Sequence, residues 1–232
     1  MLESFSNCFI FSLLCILLSS CQSLPKNVQR PVSYFNPHTE KTRLASALTP
    51  FLKAHPGESA FYPIASGQDA LVARIASIEA ADKTIDLQYY IWNNDLTGRF
   101  LLYEVLKAAD RGVRVRILLD DLNEGKYQEF LNVLDSHPNI EIRLANPFAN
   151  RGARVFDLFR FGDINRRMHN KVFIVDNQTA IIGGRNIGDE YFAASEDMNF
   201  GDLDLWTFGP VVPELSKAFD RSEEHTSELQ SH

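Results

Sequence analysis

Four polar residues in fixed register define the part of this chain that could do chemistry. His169 and Lys171 are followed by Asp176 in the spacing H-x-K-x4-D, and then by Gly183, Gly184 and Asn186 in the spacing G-G-x-N. An imidazole is unprotonated often enough near neutrality to act as a nucleophile or to carry a proton. Beside one fixed ammonium it forms a start for phosphoryl chemistry. Asn186 adds a neutral donor, and the paired glycines let the backbone approach a ligand without a Cβ in the way.

The flanking residues say how these groups are positioned. Val172 to Val175 and Thr179 to Ile182 are β-branched and apolar, separated by a short polar stretch. They read as strand, tight turn, strand, with a Gly-Asn loop then opening a helix. Residues two apart on a strand share a face, so His169 and Lys171 should project together, with Phe173 beyond them. Asp176 is at an odd offset from Lys171. It should point away from the site, as a structural salt-bridge or hydrogen-bond partner.

Upstream, strand and helix patterns alternate. Helical spacing covers Thr42 to His55, the run after Ser66-Gly67, Asp95 to Asp110, and Lys126 to Ser136. Strands are expected at Phe61 to Ile64, Thr84 to Trp92, Val113 to Leu119 and Ile140 to Leu144. In the second of these, Ile85, Leu87, Tyr89 and Ile91 alternate with Asp86, Gln88 and Tyr90. This order indicates an α/β fold, with a mostly parallel or mixed central sheet flanked by helices. Sites in such sheets lie beyond the carboxyl ends of strands. Asp120 and Asp121 sit at one such end, and read as a solvated strand-to-loop boundary rather than a metal site. No glycine-rich loop ending in Gly-Lys-Ser/Thr is present, which argues against nucleoside-triphosphate chemistry.

Composition sets the outer limits. The chain has 232 residues, 45% hydrophobic and 23% charged, with a formal net charge of -7. That balance is normal for a globular core and argues against holding long nucleic acid by charge alone. A local basic segment remains, with Arg151, Arg154, Arg160, Arg166 and Arg167 interleaved with Phe156, Phe159 and Phe161. It reads equally as an amphipathic helix with a basic face and as a phosphate-attracting approach loop. Arg166 and Arg167, immediately before His169, favour substrate binding.

All three cysteines, Cys8, Cys15 and Cys21, lie in the first 21 residues, so the body has neither disulfide framework nor thiolate metal site. Residues 8–20 form an apolar run too short for a membrane span and suited to a signal-peptide core. Leu18-Ser19-Ser20-Cys21 resembles the lipobox of bacterial lipoproteins, which implies lipidation of Cys21 and a membrane tether. An uncleaved anchor and a buried helix are the competing readings, and the acidic Glu3 without any Lys or Arg is atypical for a signal. The expected organisation is therefore a signal peptide at 1–21, a linker at 22–40, a domain at 41–220, and a non-native tail at 221–232.

The joint pattern from His169 to Asn186 resembles the HKD motif of the phospholipase D superfamily. The segments DLQYYIW, YPIASGQDAL, IGDEYF and GDLDLWTFGPVV look more narrowly like its bacterial cardiolipin synthase branch. The likeness runs over roughly residues 55–220. It implies a phosphatidyltransferase in which His169 forms a phosphohistidine, with Lys171 and Asn186 on the phosphate oxygens and a phospholipid as substrate. Asp176 belongs to the same motif. Asp204 matches the later acidic position, a candidate to fix the tautomer of a catalytic histidine, with Asp202 as the competing choice. No metal or other cofactor is implied, and no nucleic-acid partner.

The chemistry as read is incomplete. In-line displacement needs a proton donor for the leaving group on the far side of phosphorus. The superfamily supplies it from a second H-x-K, in a second repeat or a second subunit, and none follows Lys171 here. The expectation is one half of a two-walled site, inactive alone unless it dimerises, in a protein held at the cell envelope and facing the periplasm. Which membrane holds the anchor stays open. Hydrolysis by a phospholipase D or a nuclease, and a non-enzymatic lipoprotein or inactive half-domain, are the alternatives.

Overall fold

Helix starts follow local side-chain chemistry. In the computed structural model, which describes residues 33–120, 128–145, 168–223 and 227–228, each long helix of the first half opens on an oxygen-bearing cap. Thr42 caps α1 (Arg43–Ala54) through Ala45 N–H, Ser66 caps α2 (Gly67–Ala80) through Asp69 N–H, and Asp95 caps α3 (Leu96–Asp110) through Gly98 N–H. The turn after α3 is made by Gly112, whose φ of 92° only glycine adopts without strain. The described residues all fall in one compact unit.

The strands are β1 (Ala60–Ile64), β2 (Thr84–Tyr89), β3 (Arg114–Asp120), β4 (Ile140–Ala145), β5 (Val172–Val175), β6 (Thr179–Gly183), β7 (Asp204–Phe208) and the two-residue β8 (Ser227–Glu228). They form one sheet in the order β1-β7-β6-β5-β2-β3-β4-β8. The β2, β3 and β4 pairs are parallel, and all others are antiparallel. The sheet is therefore mixed, as the α/β reading allows. Helix α4 (Gln128–Asp135) links β3 to β4, and α5 (Val211–Glu223) follows β7. Among the described residues no helix is long and apolar enough to cross a membrane.

One sheet face carries the main core. Ile85, Leu87, Val115, Ile117, Phe173, Val175 and Ile181 pack there against Ala70 and Ile78 of α2 and Leu101 and Val105 of α3. The opposite face is covered by α5 through Val212 and Phe219, against Leu118, Ile174 and Ala180. Because both faces are covered, all six residues of β2 are buried. The alternation of apolar with polar residues in β2 therefore does not mark a solvent face. It marks a face where charges are paired. Arg116 donates to both oxygens of Asp86 (2.7 and 2.9 Å), to Asp220 (2.9 Å) and to Glu223 (2.8 Å). Its guanidinium also lies over the Phe219 ring. Burial alone would pull the Arg116 pKa down, but the three carboxylates outweigh it and raise it.

Helix α5 runs to Glu223, past the boundary expected at residue 220, and buries that carboxylate against Arg116 and Arg143. The expected signal peptide with Cys21, most of the linker, the basic segment with Arg166 and Arg167, and Asp121 lie outside the described residues.

Candidate active site

The β5–β6 hairpin is built by its turn. Asp176 and Asn177 both have positive φ (52° and 49°), and Gln178 N–H closes onto the Val175 carbonyl at 3.0 Å. Asp and Asn tolerate that region better than other residues with a side chain. The register Phe173↔Ile181 follows, and it sets the start of β5 beside the end of β6. His169 and Lys171 precede β5, and Gly183, Gly184 and Asn186 lie at and beyond the end of β6. The motif residues therefore gather at the same end of the sheet as the carboxyl end of β2. After Gly188 the chain makes only a 3-10 turn, Asp189–Tyr191, rather than the α-helix expected there. Its backbone is tied down instead by Asp95, whose carboxylate accepts from Asp189 N–H at 2.8 Å.

Asp176 sits at the other end of these strands. Its carboxylate accepts the N–H groups of Asp82 (2.9 Å), Lys83 (2.7 Å) and Thr84 (2.8 Å) at the entry to β2. Burial pushes its pKa up, against the pull of those three donors. It clamps the entry of β2 to the end of β5 and so positions the strand that Lys171 leads into.

His169 is exposed, and its ring stands 5.1 Å from the ring of Tyr90. Lys171 is buried, with Nζ donating to the His169 carbonyl at 2.8 Å and lying 5.3 Å from the same Tyr90 ring. Ile91, the next residue, donates its N–H to Asn186 Oδ1 at 3.1 Å. Two adjacent residues thus connect all three groups of the motif. The Asn186 loop is stitched to the same segment by Ile187 N–H to the Ile91 carbonyl (3.1 Å) and Asn93 N–H to the Ile187 carbonyl (2.8 Å).

The paired glycines are required by what lies across from them. A Cβ at Gly184 would collide with the Asp202 carboxylate, and one at Gly183 with Asp204 Oδ1 and the Leu203 carbonyl. The two aspartates do different things. Asp204, on β7 opposite Gly183, is fully buried, with Oδ2 2.9 Å from Arg74 and 3.7 Å from Arg185. It does not bond His169, because β7 turns it toward α2, where two buried guanidiniums take its charge. Asp202 stands before the strand begins and is the carboxylate that acts on Lys171. Within this chain Asp204 is therefore no partner of His169.

Burial pulls the Lys171 pKa below the ordinary lysine value, and Asp202 opposes that pull. An ammonium with a lowered pKa loses its charge at lower pH than a free lysine does. Anion affinity at this site should accordingly fall, as pH rises, before the ordinary lysine range is reached. Lys171→Arg should move that loss to higher pH, and a pH series of anion titrations measures both.

Three further residues belong to the site. Asp120 is fully buried, not solvated, and its Oδ2 accepts Met168 N–H at 3.1 Å, fixing the residue before His169. Tyr90 forms the floor under His169 and Lys171. Tyr191 Oη accepts from Asn186 Nδ2 at 3.0 Å. The position of Asp120 at the end of a parallel strand was the one available signal. Nothing local in the sequence marks the two tyrosines, since each meets its partner through strand pairing or loop packing.

Comparison with known proteins supplies the family. Residues 75–222, more than half of the chain, match the family model described as "Cardiolipin synthase, PLD-like domain", and the chain belongs to that family. It is 49% identical over 180 residues to cardiolipin synthase C of Escherichia coli K12, covering 77% of this chain and 38% of that protein. The chain thus spans little more than a third of the length of this relative. Its fold is similar to NucT from Helicobacter pylori (TM-score 0.56, 20% identity, 74% of this chain and 99% of that one). It is also similar to Nuc, a phospholipase D family member from Salmonella typhimurium (TM-score 0.52, 18% identity, 75% and 100%).

Proposed function

We propose that this chain supplies one wall of a phosphatidyltransferase site that makes cardiolipin-type lipids. The observation that carries the reading is the meeting of His169, Lys171 and Asn186 on Tyr90 and Ile91. The family and the kinship with cardiolipin synthase C support the choice of a phospholipid over other phosphodiesters.

In this reading an imidazole nitrogen of His169 attacks phosphorus in line, and the bond to the leaving alcohol breaks as the phosphorus–nitrogen bond forms. Lys171 and Asn186 hold non-bridging oxygens as charge shifts onto them. The leaving oxygen takes its proton from a group on the opposite wall. An acceptor alcohol then attacks phosphorus from that side, loses its proton to the same group, and releases His169. The opposite wall comes from the rest of a longer protein or from a second copy. The small share of cardiolipin synthase C that this chain covers supports the first, and the near-complete coverage of NucT by a single such unit supports the second. Lipidated Cys21 would hold the protein at the envelope membrane, where its substrate lies.

The test is product identity. Labelled phosphatidylglycerol incubated with the full-length protein and a second phospholipid should give a product with two phosphatidyl groups on one glycerol. Phosphatidic acid as the sole product would establish hydrolysis, the alternative that fits the shared fold with Nuc and NucT.

A further inference from the structure

The Asn186 amide has only one orientation available, and that orientation leaves a proton unassigned. The Ile91 N–H needs an acceptor, and Asn186 Oδ1 is the atom 3.1 Å away. Nδ2 must therefore face Tyr191, and a nitrogen that carries only donors makes Tyr191 Oη the acceptor at 3.0 Å. The phenolic proton then points away from Asn186. Among the described residues the Tyr191 hydroxyl makes no other hydrogen bond.

The tyrosine is held on three sides. Its carbonyl accepts from Arg185 Nε at 3.2 Å, and Arg185 is itself buried and bonded to the carbonyls of Ile64 and Ala65. Its ring meets Phe200 edge-on at 5.1 Å, and Phe200 is pinned through its N–H to the Glu190 carbonyl at 2.7 Å. A hydroxyl fixed in this way keeps its direction without a substrate present.

We propose that Tyr191 is an additional anion-binding residue, whose O–H donates to a non-bridging oxygen of the phosphate held by Lys171 and Asn186. The assignment rests on the phosphodiester reading of the site. It gives the half-site one more neutral donor, beside the free N–H of Asn186, and so lets it bind the oxygens without adding charge. A phenol also suits the pentacoordinate state, where the equatorial oxygens carry more negative charge and each donor counts for more.

The experiment titrates vanadate, an inorganic phosphate mimic, into the 232-residue chain by calorimetry. Tyr191→Phe keeps the ring and its contact with Phe200 and removes only the hydroxyl. The expected result is binding roughly 10- to 150-fold weaker at unchanged melting temperature, as for one lost hydrogen bond to a charged group. In wild-type protein carrying [13Cζ]tyrosine, the Tyr191 signal should move when vanadate is added. Binding by Tyr191→Phe as tight as wild type, or a Tyr191 signal that stays in place, overturns the assignment. The phosphodiester reading fails separately: Lys171→Ala that binds vanadate as tightly as wild type, or a wild type that binds none, removes the anion site and the role of Tyr191 with it.

Discussion

Replacing His169 by alanine is expected to abolish transfer by the full-length protein while leaving its fold intact. The loss of a covalent nucleophile lowers kcat by roughly 10^4- to 10^6-fold. His169 is exposed and packs only beside Tyr90, so the cost in stability should stay within about 0.5 kcal/mol. Steady-state assays with labelled phosphatidylglycerol, run beside thermal unfolding, separate the two quantities. Turnover within tenfold of wild type would place the nucleophile elsewhere, most directly on the opposite wall. Loss of activity with a matching fall in melting temperature would show that His169 acts through the fold. Because Lys171 and Asn186 are positioned by Tyr90, Ile91 and the His169 carbonyl rather than by the imidazole, the variant should still bind vanadate.

The largest effect on stability is expected at Arg116, far from the chemistry. Arg116→Met removes the one guanidinium that contacts Asp86, Asp220 and Glu223 together. Asp86 and Glu223 are almost wholly buried and Asp220 nearly so, and stranding such charges costs about 3–5 kcal/mol. For a domain of this size that is a fall in melting temperature of roughly 10 °C. Acidity should reverse part of it. A carboxyl whose partner is lost has a folded-state pKa raised above its unfolded value. It destabilises the variant at neutral pH, and the cost fades as pH falls through the folded pKa. Burial already pushes the Glu223 pKa up in the intact network, and losing Arg116 adds to that push while Arg143 and Ser33 still face the carboxylate. Urea unfolding of both proteins at neutral and mildly acidic pH measures the gap. A gap independent of pH would mean that the loss comes from packing against Phe219 rather than from charge.

Much of the site is local and therefore visible in the chain itself. The H-x-K spacing, the β-branched runs that flank it and the glycine pair behind it lie within one hairpin, whose geometry follows from strand periodicity and a turn of Asp and Asn. Helix starts at Thr42, Ser66 and Asp95 are equally local, since each cap bonds a residue three positions on. The odd offset of Asp176 was enough to remove it from the chemistry. Its three N–H partners, some 92 to 94 residues earlier, were not readable.

What the sequence by itself determined is the chemical character of this protein: an imidazole, an ammonium and an amide around one hairpin, with a glycine pair between them. Only the tertiary structure decided which neighbours serve them. The difference between Asp202 and Asp204 depends on where β7 starts against β6 and on Arg74 arriving from α2, two elements distant in sequence. Tyr90 reaches the site through the β2–β5 pairing, and Tyr191 through a loop folded back on Asn186. Strand alternation could not tell a solvated face of β2 from one paired with Arg116 and covered by α5, because a buried charge and an exposed one have the same period. Burial and pairing are properties of the whole sheet, and so the roles of Asp120, Asp204 and both tyrosines emerged only once it was assembled.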